Sequence, residues 1–307
     1  MKWQLFAVFI GSSLRLAAPL LLGAMGELVS ETAGVLNMSI EGMMLTGAFA
    51  GAVGAWATNS PLIGLLAGIL AVIPVALLQA VLSNSLRANQ VVTGIGINIL
   101  ALGGTTLAYR EIFGERSNDQ IPGFARWSPP FLRDIPIVGS AVFEQVWLLY
   151  LAFFLVIVTA LVLRYTSLGL AIRAAGADPR SLDNAGLSVI RVRYAVVLFA
   201  GFMSALGGTY LSIGDINTFT EGMTNGAGYL AIAAVIFGNW RVGRTLGACL
   251  LFGIATALQF HLPDMGVHLP TALLIMMPYL LAFVAVAGLV GRQMAPRALT
   301  IPYRRSH

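Results

Sequence analysis

Charge is scarce in this chain. Only 10% of its 307 residues are Asp, Glu, Lys or Arg, against roughly a quarter in an ordinary soluble domain. A soluble fold must cover its surface with charge, so the scarcity excludes a soluble enzyme, a nucleic-acid-binding module and a disordered protein. The net charge of +5 then belongs to basic loops flanking a membrane. The single cysteine, Cys249, lies in an apolar run, which excludes an intrachain disulfide and a zinc cluster. There are three histidines (His261, His268, His307) and no H-E-x-x-H string, and no Ser/His pair suggests an intramembrane hydrolase. G-x-x-x-x-G-K-[ST] is missing too, so the chain binds no ATP through a P-loop. The opening Lys2 and the short apolar stretch to Ile10 look faintly like a signal peptide. No convincing A-x-A cleavage site follows, so the segment is expected to remain as structure.

Apolar residues are abundant, at 58%, and they recur in runs long enough to cross a bilayer. Backbone polar groups in lipid must be satisfied internally, so each run reads as a helix. The runs cover residues 5–28, 36–57, 62–82, 91–109, 146–163, 194–213, 229–238, 246–260 and 271–290. The expected fold is an all-α polytopic membrane protein of about 8–10 helices, forming one transmembrane domain over 1–307. The 229–238 run is either a half-span or part of a longer helix starting near Gly226. Glycine, at 34 residues, suits helices that approach closely in lipid.

Arginine sets the orientation. If 166–193 faces the cytoplasm and later spans alternate, twelve Arg fall on that side: Arg87, Arg164, Arg173, Arg180, Arg191, Arg193, Arg241, Arg244, Arg292, Arg297, Arg304 and Arg305. Four (Arg110, Arg116, Arg126, Arg133) fall on the other. The turns at 214–226 and 261–270 hold no Lys or Arg, only Asp215, Glu221 and Asp264. The C-terminus is then cytoplasmic. Nine full crossings would leave Lys2 outside, and a broken or re-entrant helix near 28–42 would resolve this.

Several polar residues lie in or beside the apolar runs, where an ionisable group costs at least ~2.5–3.5 kcal/mol at mid-membrane. Glu27 and Glu31 are expected at an interface. Asn37 and Glu41 are four apart, so on a helix they share a face. Glycines at 34 and 42 flank them, which suggests a break lining a cavity. Asn98 is either an interhelical hydrogen-bonding group or a third residue of that path. Phe219, Tyr229 and Trp240 are expected mainly in packing.

The stretch 166–193 has a distinct grammar. Asp178 suits an N-cap, Pro179 the first helical position and Gly186 the site just past a C-terminus. A short helix is predicted at 179–185, preceded by the small residues Ala174, Ala175, Gly176 and Ala177. The outer loop 110–144, rich in Arg, acidic residues and Pro, is too polar for lipid and is read either as a docking loop or as a solvated one.

The strings GVLNMSIEGMMLTGAFAG at 34–51, VVTGIGINILA at 91–101 and GLAIRAAGADPRSLDNAGL at 169–187 resemble the permease subunits of bacterial ABC importers for ribose-type sugars, branched-chain amino acids and purine nucleosides. They are most similar to the nucleoside (guanosine-type) and simple-sugar branch. Met38-Ser39 departs from that branch. The resemblance spans about 14–290. It implies a multi-pass permease of the inner (cytoplasmic) membrane with no cofactor. It also implies a separate cytoplasmic ATPase docking on 166–193, an extracytoplasmic substrate-binding protein and a second permease subunit, homologous or identical. The implied coupling residues are Gly169, Arg173, Gly176, Asp178, Pro179 and Gly186, and the path candidates are Asn37, Glu41 and Asn98. The rival readings are a branched-chain amino acid permease and a stand-alone transporter using Glu27 or Glu41 as proton carrier.

Overall fold

The computed structural model describes residues 2–114, 120–128, 139, 142–263, 270–284 and 295–304. It is built almost wholly of helices: α1 (Lys2–Thr32), α2 (Ile40–Thr58), α3 (Pro61–Ala80), α4 (Gln90–Phe113), α5 (Trp147–Tyr165), α6 (Ser167–Ala177), α7 (Pro179–Asn184), α8 (Val189–Thr209), α9 (Ala227–Phe237), α10 (Val242–His261) and α11 (Thr271–Val284). Short π-helical stretches, Val81–Ser85 and Tyr210–Ile216, extend α3 and α8. Two two-residue strands, β1 (Arg126–Trp127) and β2 (Gln145–Val146), pair antiparallel. Every apolar run singled out from the sequence coincides with a helix. The turn with Asp264, the end of the last run beyond 284, and Arg116, Arg133, Arg292 and Arg305 lie outside the described residues.

α1 is the central pillar. It packs on α8 and α10, with α9 and α5 beside them, and its Leu21, Leu22, Met25 and Leu28 are fully buried. α2 runs beside α8 in the same direction, and α3 returns antiparallel to α2. These three helices meet through small residues. A Cβ on Gly208 would lie 1.9 Å from the Met44 carbonyl oxygen, and one on Gly68 would lie 2.3 Å from Thr209 Cγ2. Such contact lets dispersion act between backbones where lipid gives no hydrophobic drive. Large apolar side chains face outward instead, among them Leu70 at 64% and Leu107 at 68% exposure. Among the described residues, six helical segments, 6–32, 61–85, 90–113, 147–165, 189–216 and 242–261, are long and apolar enough to cross a membrane. This is an all-α polytopic membrane fold.

The break expected near 28–42 is present, but it is a turn between antiparallel helices and does not change sides. α1 stops at Thr32 and Gly34 turns at φ +89°. The buried backbone N–H groups of the turn find side-chain acceptors: Asn37 N–H donates to Glu27 Oε1 (2.9 Å) and Leu36 N–H to Gln90 Oε1 (2.8 Å). The start of α1 therefore sits at the end opposite α6 and α7, where Ser12 Oγ meets His261 Nε2 at 2.8 Å.

The half-length element lies elsewhere. After the π-helical stretch, residues 217–226 turn back into the protein and α9 begins at depth. Its 11 residues span about 16 Å, roughly half of a ~30 Å hydrocarbon core. Of the two readings of that run, the half-span is the one observed.

Candidate functional site

The half-helix creates the site. Its first N–H groups have no intrahelical acceptor and carry the positive end of the helix dipole. Glu41, in the first turn of α2, supplies the missing acceptors. Its Oε1 accepts from Thr224 Oγ1 (2.6 Å) and Gly226 N–H (2.8 Å), and its Oε2 accepts from Gly228 N–H (2.7 Å). Gly228 allows this approach, since a Cβ there would lie 2.6 Å from the Glu41 backbone. Gly226 turns at φ +80° under the Tyr279 hydroxyl, and that hydroxyl donates to the Asn225 carbonyl at 2.5 Å.

Asn98 joins α4 to the same corner. Its Oδ1 accepts from Gly42 N–H (2.8 Å), while its Nδ2 donates to the Met38 carbonyl and to the Tyr229 hydroxyl (2.8 Å each). Between these groups lies a cavity of about 330 Å³, lined by Glu41, Asn98, Thr224, Asn225, Tyr229 and apolar α4 residues including Ile99 and Leu102. Leu102 is the midpoint of α4, so the cavity sits half-way along that helix. Irregular backbone at such depth is tolerated where it lines a cavity, and half-helix ends at mid-depth are where transporters bind solutes.

The structure separates the three path candidates. Glu41 and Asn98 share the cavity; Asn37 does not. It precedes α2, which starts at Ile40, so the two residues share no helical face. Its Oδ1 instead accepts from Ser39 N–H (3.2 Å) and Ser39 Oγ (2.5 Å). An Asn side chain satisfies a turn better than it extends a helix. Glu27 and Glu31 face the protein interior. Both are fully buried and interact with each other one turn apart, and Glu31 Oε2 accepts from Trp240 Nε1 at 2.5 Å. Tyr229, expected mainly in packing, is a cavity residue. A signal for the missed partners was in the sequence: Gly226-Ala227-Gly228 opens an apolar run too short to span.

At the α6–α7 end, Asp178 caps α7 by accepting from the N–H groups of Arg180 (3.2 Å) and Ser181 (3.4 Å). The Ser181 hydroxyl, 2.5 Å from Asp178 Oδ2, holds that carboxyl below its usual range, helped by the same backbone bonds. Pro179 opens α7 and Gly186 turns at φ +82° beyond it. The small residues before Asp178 belong to a helix, α6 (Ser167–Ala177). Gly169 and Gly176 seat α6 on its neighbours: a Cβ at Gly169 would lie 2.1 Å from the Val162 carbonyl oxygen, and one at Gly176 2.0 Å from that of Thr32. Arg173 and Arg180 are exposed.

Two features here escaped sequence reading. Arg193, counted there as a loop charge, is buried and donates to the carbonyls of Ala33 (3.2 Å), Ala175 (3.5 Å), Ala298 (3.4 Å) and Ile301 (2.8 Å). The tail 295–304 also folds back: Ala298 N–H donates to the Gly176 carbonyl (2.8 Å), Thr300 N–H to that of Gly34 (3.2 Å), and the Tyr303 hydroxyl to Asp183 Oδ2 (3.0 Å). At the far end, Arg110 pairs with Glu221 at 2.8 Å and holds that carboxyl below its usual range. The described part of the outer loop docks on the end of α8 through Ile121 and Phe124 N–H groups; the rest lies outside the described residues.

Residues 9–290 match the family described as "Branched-chain amino acid transport system / permease component". The chain belongs to that family. Among curated permeases it is similar to the guanosine ABC transporter permease protein NupQ of Bacillus subtilis, 36% identical over 98% of this chain and 97% of the relative. It is similar also to the putative glucose ABC transporter permease protein TsgC13 of Haloferax volcanii, 36% identical over 86% of this chain and 80% of the relative. The nucleoside ABC transporter permease protein NupC of Lactococcus lactis is 30% identical over 97% of both chains. No solved structure matches. The family is one of transport permeases, so the cavity, the half-helix and the α6–α7 segment are those of an ABC importer permease.

Proposed function

We propose that this permease moves a neutral, hydrogen-bonding solute, a nucleoside or simple sugar, through the Glu41–Asn98–Tyr229 cavity. One observation carries the reading. Among the described residues, the one carboxylate lining that cavity already accepts three hydrogen bonds, so the groups left to meet a solute are amide, hydroxyl and aromatic. The carboxylate of an amino acid would lose hydration there with no cation among the lining residues to meet it; a nucleoside or sugar carries no such charge. The names of the similar permeases support the same class.

The chain acts as one transmembrane domain of the cytoplasmic membrane, with α6, α7 and the tail on the cytoplasmic side. ATP hydrolysis belongs to a separate ATPase seated on α6 and α7 (Gly169, Arg173, Gly176, Asp178, Pro179, Gly186). A solute-binding protein delivers at the opposite face, and a second permease subunit, a related chain or a second copy, completes the pathway. ATPase closure displaces α7, and α6 passes that displacement to the end of α1 through the Gly176–Thr32 seat. The test is uptake in cells with and without the gene. Guanosine or glucose uptake is expected to depend on the gene while leucine uptake does not; dependence of leucine uptake alone would overturn the solute class.

A further inference from the structure

An apolar groove of about 390 Å³ opens between α5, α6 and α8, away from the solute cavity. Its walls are Val158, Val162 and Leu163 of α5, Leu168 and Ile172 of α6, and the α8 face from Arg191 to Phe199. Along α8 it runs about 12 Å, close to the ~15 Å of one leaflet of a ~30 Å core. Its mouth is marked on two sides. Arg164 and Tyr165, a cation–π pair at 5.3 Å, end α5 there, and Tyr and Arg are the side chains that settle at headgroup depth. Arg191 lines the mouth itself, and among the described residues no carboxylate forms an ion pair with it.

We propose that this groove binds an anionic phospholipid of the leaflet on the α6–α7 side, with one acyl chain along α8 and the phosphate on the Arg191 guanidinium. The groove matches one leaflet in length, is apolar inside, and carries the uncompensated Arg191 cation in its lining where the phosphate would sit. A basic pocket between membrane helices on the cytoplasmic side is the setting in which anionic headgroups are held. The lipid would touch Leu168 and Ile172, and so brace the helix that carries Gly176. The proposal does not rest on the solute reading and is tested without transport.

The full-length chain is purified, placed in nanodiscs of phosphatidylglycerol and phosphatidylcholine in equal amounts, and the retained lipid is measured by native mass spectrometry after release. Phosphatidylglycerol is expected to be retained in preference. Arg191→Gln is expected to weaken that retention about five-fold, the effect of one cation at a membrane surface. Ala195→Trp, which fills the groove without changing charge, is expected to abolish it, and Leu168→Trp repeats the blockade from the exposed mouth should Ala195→Trp not fold. Leu70→Trp on the outward face of α3 leaves retention unchanged. Equal retention of the two lipids, or a phosphatidylglycerol preference that survives Arg191→Gln or the filled groove, reduces the site to non-specific annular lipid and overturns the proposal.

Discussion

Glu41 shows what a single residue does here and how far its role was legible. The sequence marks it and Asn98 as polar groups where lipid would forbid them. It does not say what they face, because α9 lies nearly two hundred positions away in the chain. Asn37 looked equivalent because spacing of four implies a shared face only inside a helix, and the helix starts three residues later. The geometry gives Glu41→Gln a definite outcome. A glutamine offers one acceptor oxygen where two are used, and its amide N–H₂ would meet an N–H or O–H donor. Losing a hydrogen bond to a charged group costs about 1.5–3 kcal/mol. Glu41→Gln is therefore expected to lower the melting temperature of the purified permease and its uptake together, read by size-exclusion thermal scans and transport per assembled complex. Unchanged melting would show that Glu41 does not anchor α9.

At the scale of elements, α7 was legible almost to the residue, because Asp178, Pro179 and Gly186 are local signals with local causes. α6 was not: its small residues were noted only as preceding that helix, and the reason they are small, the close seat on the end of α1, is a tertiary fact. The two glycines that bracket this segment should consequently behave differently. Gly176→Ala pushes a methyl into the backbone of Thr32 and Gly34, and overpacking of this kind costs typically ~1–3 kcal/mol. Gly186→Ala meets nothing within 4 Å but places a Cβ at φ +82°, worth roughly 1–2 kcal/mol of strain confined to α7. Gly176→Ala is expected to reduce the amount of folded permease in the membrane. Gly186→Ala is expected to leave that amount unchanged and to lower solute-stimulated ATP hydrolysis. Equal effects on folded yield would remove the distinction between seat and cap.

At the scale of the molecule, apolar run length made the helix set readable, and arginine placement gave a sidedness that labelling can test. The course of the chain at its two ends was not. The buried Arg193 and the folded-back tail depend on backbone carbonyls that no sequence pattern displays. The side of the N-terminus depended on whether an interruption changed the parity of crossings, and neither does: the chain crosses before and after the Gly34 turn, and 217–238 enters at one end and leaves at the other, so the start of α1 lies at the end opposite α6 and α7. Thr58, at the α2–α3 turn, and Ser181, in α7, lie at opposite ends and are both exposed. In a Cys249→Ala background, Thr58→Cys is expected to react with a membrane-impermeant thiol reagent in intact cells, and Ser181→Cys only after permeabilisation. Labelling of both in intact cells would overturn the topology.

The half-helix is tied at each end to a carboxylate: Glu41 holds its start, and Glu31, through Trp240, holds its exit. Those two carboxylates flank the Gly34 turn, so the turn, the half-helix and the start of α2 form a strut from the solute cavity to the α6–α7 face. A strut transmits displacement and does not absorb it. In the proposed transport cycle, opening of the cavity then falls to the opposite wall, α4, and Asn98 is the latch, since its three bonds to Met38, Gly42 and Tyr229 are what α4 must release to swing clear.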